Sequence, residues 1–152
     1  MEDFSVERAI QIAAGAHSGQ KRWNGSPYIL HPLRVMAQMS TDDERIVAVL
    51  HDVIEDTTIT CHDLIHWKCP GNLTEAVVAI SKPKKVFVTN LERDSAYLQY
   101  LITVKNNPIS RVVKIADILD NLNLGDLSTP VKDRDLKRIG KYIEALKFLR
   151  NQ

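Results

Sequence analysis

ISRVVKIADILDNLNL, residues 109–124, is the stretch that decides the class of fold, because it holds too many apolar residues for an ordinary surface helix. Spaced about 100° apart around an α-helix, these residues cover most of its circumference, and a helix of that kind is buried. They are Val112, Val113, Ile115, Ala116, Ile118, Leu119 and Leu122. We therefore expect residues 109–124 to form a buried helix.

One polar stripe interrupts the apolar surface of this predicted helix. Lys114, Asp117 and Asn121 follow one another at spacings of three and four residues, and Asp120 lies at the edge of the stripe. A charge that faces a protein interior is unfavourable unless it is paired or coordinates a metal ion. The stripe is therefore either a structural Lys114–Asp117 ion pair helped by Asn121 or part of a functional site.

Helical periodicity continues outside this segment. Residues 41–54 have an amphipathic pattern that begins with a capping box formed by Thr41 and Glu44. A similar start is predicted at Asn72 and Glu75. An aliphatic stripe predicts a C-terminal helix through Leu136, Ile139, Ile143, Leu146 and Leu149.

Alternation of period two is nearly absent, and residues 86–88 (VFV) are the only strand-like fragment. We therefore predict an all-α bundle of about seven or eight short helices. A chain of 152 residues, 44% of them apolar, suits one compact domain, which we expect to comprise residues 1–152.

Composition and charge exclude several classes of protein. The net charge of +1 provides no overall field that would attract a nucleic acid polymer or an anionic membrane. No apolar run is long enough to span a bilayer, and the N-terminus lacks the pattern of a signal peptide. The two cysteines form no disulfide framework. We therefore expect a cytoplasmic protein.

A second group of polar residues lies at the end of the helix predicted for residues 41–54. His51 and Glu55 are i, i+4 neighbours, as are Asp52 and Asp56. We expect His51, Asp52 and Glu55 to point away from the apolar stripe of that helix. A solvated polar face would show the same pattern. One histidine and three carboxylates within six residues, after a run of aliphatic residues, are stronger evidence for a site.

The third polar element is QKRWNGSPYILHP, residues 20–32. Its Gly and Pro residues predict a turn, and Pro32 suits the first turn of a following helix. His31 then lies at the N-cap or in the first turn, and Lys21 and Arg22 form a small cationic patch on the loop. A structural histidine and a solvated patch are the simplest alternatives.

Taken together, these elements offer a set of metal ligands: His31, His51, Asp52 and Asp117. Two imidazoles and two carboxylates without a thiolate suit octahedral Mn²⁺, Fe²⁺ or Mg²⁺ with open water positions better than a closed structural zinc site. A separate zinc site at Cys61, His62, His66 and Cys69 is disfavoured, because the spacing matches no common finger. A short amphipathic helix is predicted there instead.

Five segments, in this order, resemble the HD-domain metal-dependent phosphohydrolases, and more specifically the hydrolase domain of RelA/SpoT-type alarmone enzymes. They are AGAHSGQ (14–20), GSPYILHP (25–32), LHDVIEDT (50–57), ISK (80–82) and VKIADILDN (113–121). The likeness extends over nearly the whole chain and implies an HD-domain helical bundle. Because the chain is too short for the synthetase and regulatory domains of the family, it implies a stand-alone small alarmone hydrolase.

The resemblance also implies roles for individual residues. By position, the four candidate ligands would hold one Mn²⁺ ion, and Glu55 and Asp56 would organise and deprotonate the attacking water. The family reaction releases pyrophosphate from the 3′ position of guanosine tetra- or pentaphosphate (ppGpp or pppGpp) and leaves GDP or GTP. Arg22 and Asn121 match substrate-binding positions of the family. The other substrate-binding residues that we expect are Lys21, Trp23, Asn24 and Lys114, and Lys82 is a further candidate from its charge.

Four positions depart from the family pattern: Trp23, Ser26, Asp120 and Asn123. They concern contacts with the base and the 5′-phosphates rather than the metal ligands. Another nucleotide, such as NADPH or a nucleoside monophosphate, is therefore an alternative substrate. A non-catalytic nucleotide-binding module is the alternative from another class, although it would not need the Glu55–Asp56 pair.

Overall fold

A computed structural model describes residues 4–123 and 130–151, and within these ranges the protein consists of α-helices and loops, with one isolated bridge between Lys21 and Pro27. The helices are α1 (Val6–Ala16), α2 (Leu30–Ala37), α3 (Asp42–Leu50), α4 (Val53–Asp56), α5 (Cys61–His66), α6 (Gly71–Ile80), α7 (Asn90–Asn106), α8 (Pro108–Asn121) and α9 (Asp133–Arg150). The predicted all-α class is confirmed. Nine helices lie in the described ranges, and counting the single turn α4 with α3 gives eight, within the predicted seven or eight.

Helix α8 lies between two groups of buried apolar side chains. Val113 and Ala116 belong to the first group, together with residues of α1, α2, α3 and α6. Ile118 belongs to the second group, together with residues of α7 and α9. The predicted buried helix is therefore present, although Leu124, its last predicted residue, lies outside the described residues.

The expectation that α8 is apolar and buried around most of its circumference is wrong at two positions. Val112 is 42% exposed and Leu119 is 43% exposed. Five helices contact α8: α2, α3, α6, α7 and α9. They leave uncovered the strip of its surface that contains Val112 and Leu119. Covering helices, rather than apolar content alone, decide which side chains of α8 are buried.

The continuous helix predicted for residues 41–54 is interrupted. Its start is as predicted, since Thr41 and Glu44 form a capping box, but α3 ends at Leu50 and α4 begins at Val53. His51 and Asp52 form the turn between the two helices. The expectation that His51 points away from the apolar stripe is consequently wrong, because this break turns its side chain into the interior, where it is 1% exposed.

Three smaller predictions also need correction. Helix α6 begins at Gly71 without a side-chain cap, so the predicted start at Asn72 and Glu75 is wrong. Residues 86–88 are not a strand, and their two valines are almost fully exposed. In α9, Leu146 and Leu149 are buried as predicted, whereas Leu136 and Ile143 are exposed.

Among the described residues, no helix combines the length and the apolar character needed to cross a membrane. The cytoplasmic location and the single domain over residues 1–152 stay predictions.

Candidate functional site

The four predicted metal ligands come together from three places in the fold. His31 lies in the first turn of α2, His51 and Asp52 lie in the turn between α3 and α4, and Asp117 lies on α8. The distances are 3.1 Å for His31 Nε2–Asp117 Oδ1, 3.8 Å for His31 Nε2–Asp52 Oδ2, 2.9 Å for His51 Nε2–Asp52 Oδ2 and 3.6 Å for His51 Nε2–Asp117 Oδ1. Three of the four also form a tighter group, which does not include Asp117. Among the described residues, it is the only group of three or more His, Cys, Asp or Glu side chains whose ligand atoms all lie within 4.8 Å of one another: His31, His51 and Asp52.

Both imidazoles present the Nε2 atom to this centre because their Nδ1 atoms are engaged elsewhere. His51 Nδ1 lies 2.7 Å from the carbonyl oxygen of Ala48, which can only accept, so Nδ1 carries the proton. His31 Nδ1 lies 2.6 Å from Asp120 Oδ2. Each ring therefore presents Nε2 to the centre, as metal-binding histidines do. Although burial opposes the charged form, the neighbouring Asp52 and Asp117 hold the pKa of His51 well above its usual value. Two such nitrogens facing carboxylate oxygens fit a divalent ion such as Mn²⁺, Fe²⁺ or Mg²⁺.

The polar stripe of α8 contains the predicted ion pair and also contributes to this centre. Lys114 Nζ donates to Asp117 Oδ2 at 2.7 Å, and Asn121 Nδ2 donates to Asp117 Oδ1 at 2.7 Å. Burial alone would raise the pKa of Asp117, but Lys114 and the two histidines hold it well below its usual value. The two interpretations of the stripe are therefore compatible, because one carboxylate oxygen meets Lys114 and the other faces His31.

Tyr28, which the sequence analysis did not select, connects the centre to the acidic pair. Its hydroxyl lies 2.5 Å from Asp52 Oδ2 and 3.2 Å from Asp56 Oδ2. Burial and the neighbouring Asp52 raise the pKa of Tyr28, so the hydroxyl stays a donor. Burial, with the charges of Asp52 and Glu55, raises the pKa of Asp56. Tyr28 thus holds two carboxylates of the site close together.

Glu55 contacts a residue that follows α6. Its Oε1 atom accepts from Lys82 Nζ at 3.1 Å and its Oε2 atom accepts from Lys82 N at 3.0 Å. Glu55 and Lys82 also line the cavity that contains the centre. Both side chains are therefore at the wall of the cavity, and Lys82, a candidate for a phosphate contact, is paired with Glu55.

A cavity of about 640 Å³ opens over the centre. Five of the six predicted substrate-binding residues line it: Lys21, Arg22, Trp23, Lys114 and Asn121. Asn24 does not line it; its Oδ1 atom accepts from Ser26 N at 3.1 Å and from Ser26 Oγ at 2.7 Å, which stabilises the turn of the loop. Trp23 is 59% exposed at the edge.

The opposite side of the cavity was missed by the sequence analysis. We call it the α7/α9 wall, and it consists of Tyr97, Lys137, Arg138, Lys141 and Tyr142. Lys141 Nζ lies 3.8 Å above the ring of Tyr97. Basic residues at these spacings are ordinary on an exposed helix, so no local signal distinguishes them. Only the packing of α9 against α7 and α8 brings them to the cavity.

Asp120, one of the positions that depart from the family pattern, lies behind the centre. Arg34 Nε and Nη2 donate to its two oxygens at 2.7 and 2.9 Å, and Arg22 Nη1 lies 3.6 Å from Oδ2. Arg22 Nη2 also donates to Asn121 Oδ1 at 3.1 Å. Burial would raise the pKa of Asp120, but its hydrogen bonds with Arg34 and His31 lower it.

The segment considered for zinc is the short helix α5. Thr60 and Asp63 form a capping box at its start, and Leu64 is buried while Ile65 is exposed. The predicted amphipathic helix is confirmed. Within residues 4–123 and 130–151, the cysteines and histidines of this segment form no group with metal-binding geometry.

No protein-family model matches the chain, but curated proteins are similar to most of it. The bifunctional (p)ppGpp synthase/hydrolase SpoT of Escherichia coli K12 is 36% identical over 141 residues, which is 88% of this chain. A probable guanosine-3′,5′-bis(diphosphate) 3′-pyrophosphohydrolase of Synechocystis is 33% identical over 91% of it, and the Aquifex aeolicus protein of that type is 32% identical over 77%. The chain spans only 17–20% of the length of these relatives.

A solved structure, described as a metazoan ortholog of SpoT that hydrolyzes ppGpp, has a similar fold. It matches 99% of this chain and 88% of its own with a TM-score of 0.77 at 22% sequence identity. The likeness confirms the helical architecture predicted from the motifs. The curated relatives confirm the resemblance to RelA/SpoT-type proteins that was stated from those motifs.

Proposed function

We propose that this chain, a homologue of one segment of the RelA/SpoT-type HD-domain proteins, hydrolyses ppGpp and pppGpp. The reaction releases pyrophosphate from the 3′ position and leaves GDP or GTP. The observation that carries the proposal is the convergence of two inward-facing imidazoles and two carboxylates at the base of a cavity lined with cations. The names of the relatives, which include 3′-pyrophosphohydrolases, support it.

The residues that would hold the metal ion are His31, His51, Asp52 and Asp117, and Mn²⁺ is the ion we propose. When bound, such an ion lowers the pKa of water and neutralises charge on a phosphoryl oxygen. The fixed Nδ1 contacts of the two histidines mean that little rearrangement is needed to bind it.

Within the proposed mechanism, Glu55 takes the proton of the attacking water at a carboxylate oxygen. Asp56 orients that water, and its own carboxylate is held beside Asp52 by the shared contact with Tyr28. Lys114 neutralises the charge of Asp117. A diphosphate that enters the cavity therefore meets less negative charge than the four carboxylates of the site would present without Lys114. These are Asp52, Glu55, Asp56 and Asp117.

The distribution of cations supports a substrate that carries phosphate groups at two separate positions. Lys21 and Arg22 lie on the loop beside the centre, while Lys137, Arg138 and Lys141 lie on the α7/α9 wall. A substrate with diphosphates on both the 3′ and 5′ oxygens offers a phosphate group to each set of cations. A nucleoside monophosphate offers only one, so this lining supports the bis(diphosphate) over the monophosphate.

The test is a turnover assay of the purified, Mn²⁺-loaded chain with ppGpp, NADPH and GMP as separate substrates. We expect release of pyrophosphate from ppGpp and much slower reaction of the other two. Glu55→Gln should bind Mn²⁺ as the unmodified chain does but react about 10²–10⁴-fold more slowly, the usual effect of losing a general base.

Glu75→Gln is the matched control, since it makes the same change at an exposed position of α6 and should keep full activity. Absence of ppGpp turnover by a chain that binds Mn²⁺ would refute the proposed reaction. Full activity of Glu55→Gln would refute only the role of Glu55 and would leave the proposed reaction standing.

A further inference from the structure

We propose that Asp120 is a positioning residue of the metal centre, which orients His31 for metal binding and is itself held in place by Arg34. This inference rests on the proposed metal centre but adds two residues to it. Neither residue belongs to the predicted ligand set, and Asp120 stands where the family pattern has another kind of side chain.

The geometry around Asp120 is that of a carboxylate shared between several donors. Its Oδ2 atom lies 2.6 Å from His31 Nδ1, 2.9 Å from Arg34 Nη2 and 3.6 Å from Arg22 Nη1. Its Oδ1 atom accepts from Arg34 Nε at 2.7 Å. The two bonds from Arg34 are of the bidentate type, which fixes the plane of the carboxylate as well as its position.

The contact with His31 decides which ring nitrogen is available to a metal ion. The contact between His31 Nδ1 and Asp120 Oδ2, at 2.6 Å, holds the ring with its other nitrogen, Nε2, turned toward the centre. Nε2 is the atom that faces Asp117 at 3.1 Å. Loss of the Asp120 carboxylate would remove the contact that fixes the orientation of the His31 ring.

Arg34 contributes from the outer side of this arrangement. Its side chain is 49% exposed, whereas the side chains of Asp120 and His31 are 10% and 3% exposed. Arg34 is not among the residues that line the cavity. Arg34 donates to both oxygens of Asp120, so we expect its influence on metal affinity to pass through that carboxylate.

The experiment is a calorimetric titration of the metal-free chain with Mn²⁺, which needs no substrate and no turnover. Asp120→Asn should raise the Kd for Mn²⁺ by about 10- to 100-fold, the usual effect of removing a residue that orients a metal ligand. Arg34→Ala should raise it by about fivefold, the effect of one typical hydrogen bond. The double variant should match Asp120→Asn to within about twofold, because residues acting through one contact are not additive.

Glu144→Gln is the matched control, because it removes one charge from another carboxylate paired with a cation, at an exposed site on α9, and should leave the Kd unchanged. Thermal unfolding in EDTA shows whether Asp120→Asn folds. If it does not, Arg34→Ala, a change of a half-exposed residue, decides the outcome alone.

The results separate this inference from the proposed metal centre. If the unmodified chain binds Mn²⁺ and the Asp120 and Arg34 variants bind it equally well, the positioning role is refuted and the metal centre stands. If the two single effects add fully in the double variant, Arg34 does not act through Asp120. If the unmodified chain binds no Mn²⁺, the metal centre and the role of Asp120 are refuted together.

Discussion

The two sides of the cavity are held in place by different interactions. On one side, which we call the ligand wall, α2, the turn between α3 and α4, and α8 present buried side chains that are closely paired, such as His31, Asp117 and Lys114. On the α7/α9 wall, Lys137 and Lys141 are exposed, and the contact of Lys141 is with the face of Tyr97. The ligand wall depends on complementary charges in the interior, and the α7/α9 wall depends on ordinary surface packing.

This difference matters because the effect of removing a charge depends on burial. A charge left alone in the interior loses its solvation and its partner, whereas an exposed cation regains water. The ligand wall should therefore respond to substitution with large losses of stability and metal binding. The α7/α9 wall should respond with changes in substrate affinity alone.

The largest effect is expected for Asp117→Ala. The change leaves Lys114 buried without its partner, and we expect the free energy of unfolding in EDTA to fall by about 3–5 kcal/mol, with loss of Mn²⁺ binding. Urea denaturation and calorimetry measure the two effects. In the double variant Lys114→Met/Asp117→Leu most of the stability should return while Mn²⁺ binding stays absent. Unchanged stability of Asp117→Ala would show that the pairing on the ligand wall is dispensable.

A smaller and localised effect is expected from Mn²⁺ itself. A concentration about 100 times the Kd should stabilise the protein by about 2.7 kcal/mol. Hydrogen exchange should slow most in α2, in the turn between α3 and α4, and in α8, whereas amides of α9 that exchange by local opening should keep their rates. The Asp117→Ala chain is the control and should show no slowing. Equal slowing in α9 would mean that the two walls behave as one unit.

The smallest change in stability is expected for Lys137→Ala/Lys141→Ala on the α7/α9 wall. Loss of the contact with Tyr97 should change the free energy of unfolding by less than about 1 kcal/mol. The KM for ppGpp should rise about tenfold or more with little change in kcat, because phosphate contacts are lost and the centre is untouched. Lys147→Ala on the same helix is the control. A fall in kcat at unchanged KM would contradict the division between the walls.

The sequence was sufficient to predict those parts of the ligand wall whose residues stand at short spacings. The interval of three between Lys114 and Asp117 places both on one face of a helix, and His51 and Asp52 are adjacent. Periodicity could not reveal the break after Leu50, since the aliphatic pattern of the predicted helix runs on to residue 54. The inward direction of His51 was therefore missed.

The α7/α9 wall and the contacts of Asp120 could not be predicted for another reason. Lys137 and Lys141 look like any solvated cations until the packing of α9 is known. Arg34 and Asp120 are 86 residues apart, and nothing in either local segment indicates the other. Pairings of this kind are properties of the tertiary structure, whereas the ligand spacings are properties of single helices.

The long separation between the partners at the site has a consequence for the synthesis of the protein. His31 and Asp120 are 89 residues apart, and Arg22 and Asn121 are 99 residues apart. During translation, α1 to α6 leave the ribosome well before α8. Contacts between distant segments also have a larger entropic cost of loop closure than contacts between neighbouring segments. The proposed metal centre therefore lacks Asp117 and the support of Asp120 until α8 has emerged. Metal uptake through the complete set of proposed ligands would have to follow the synthesis of α8.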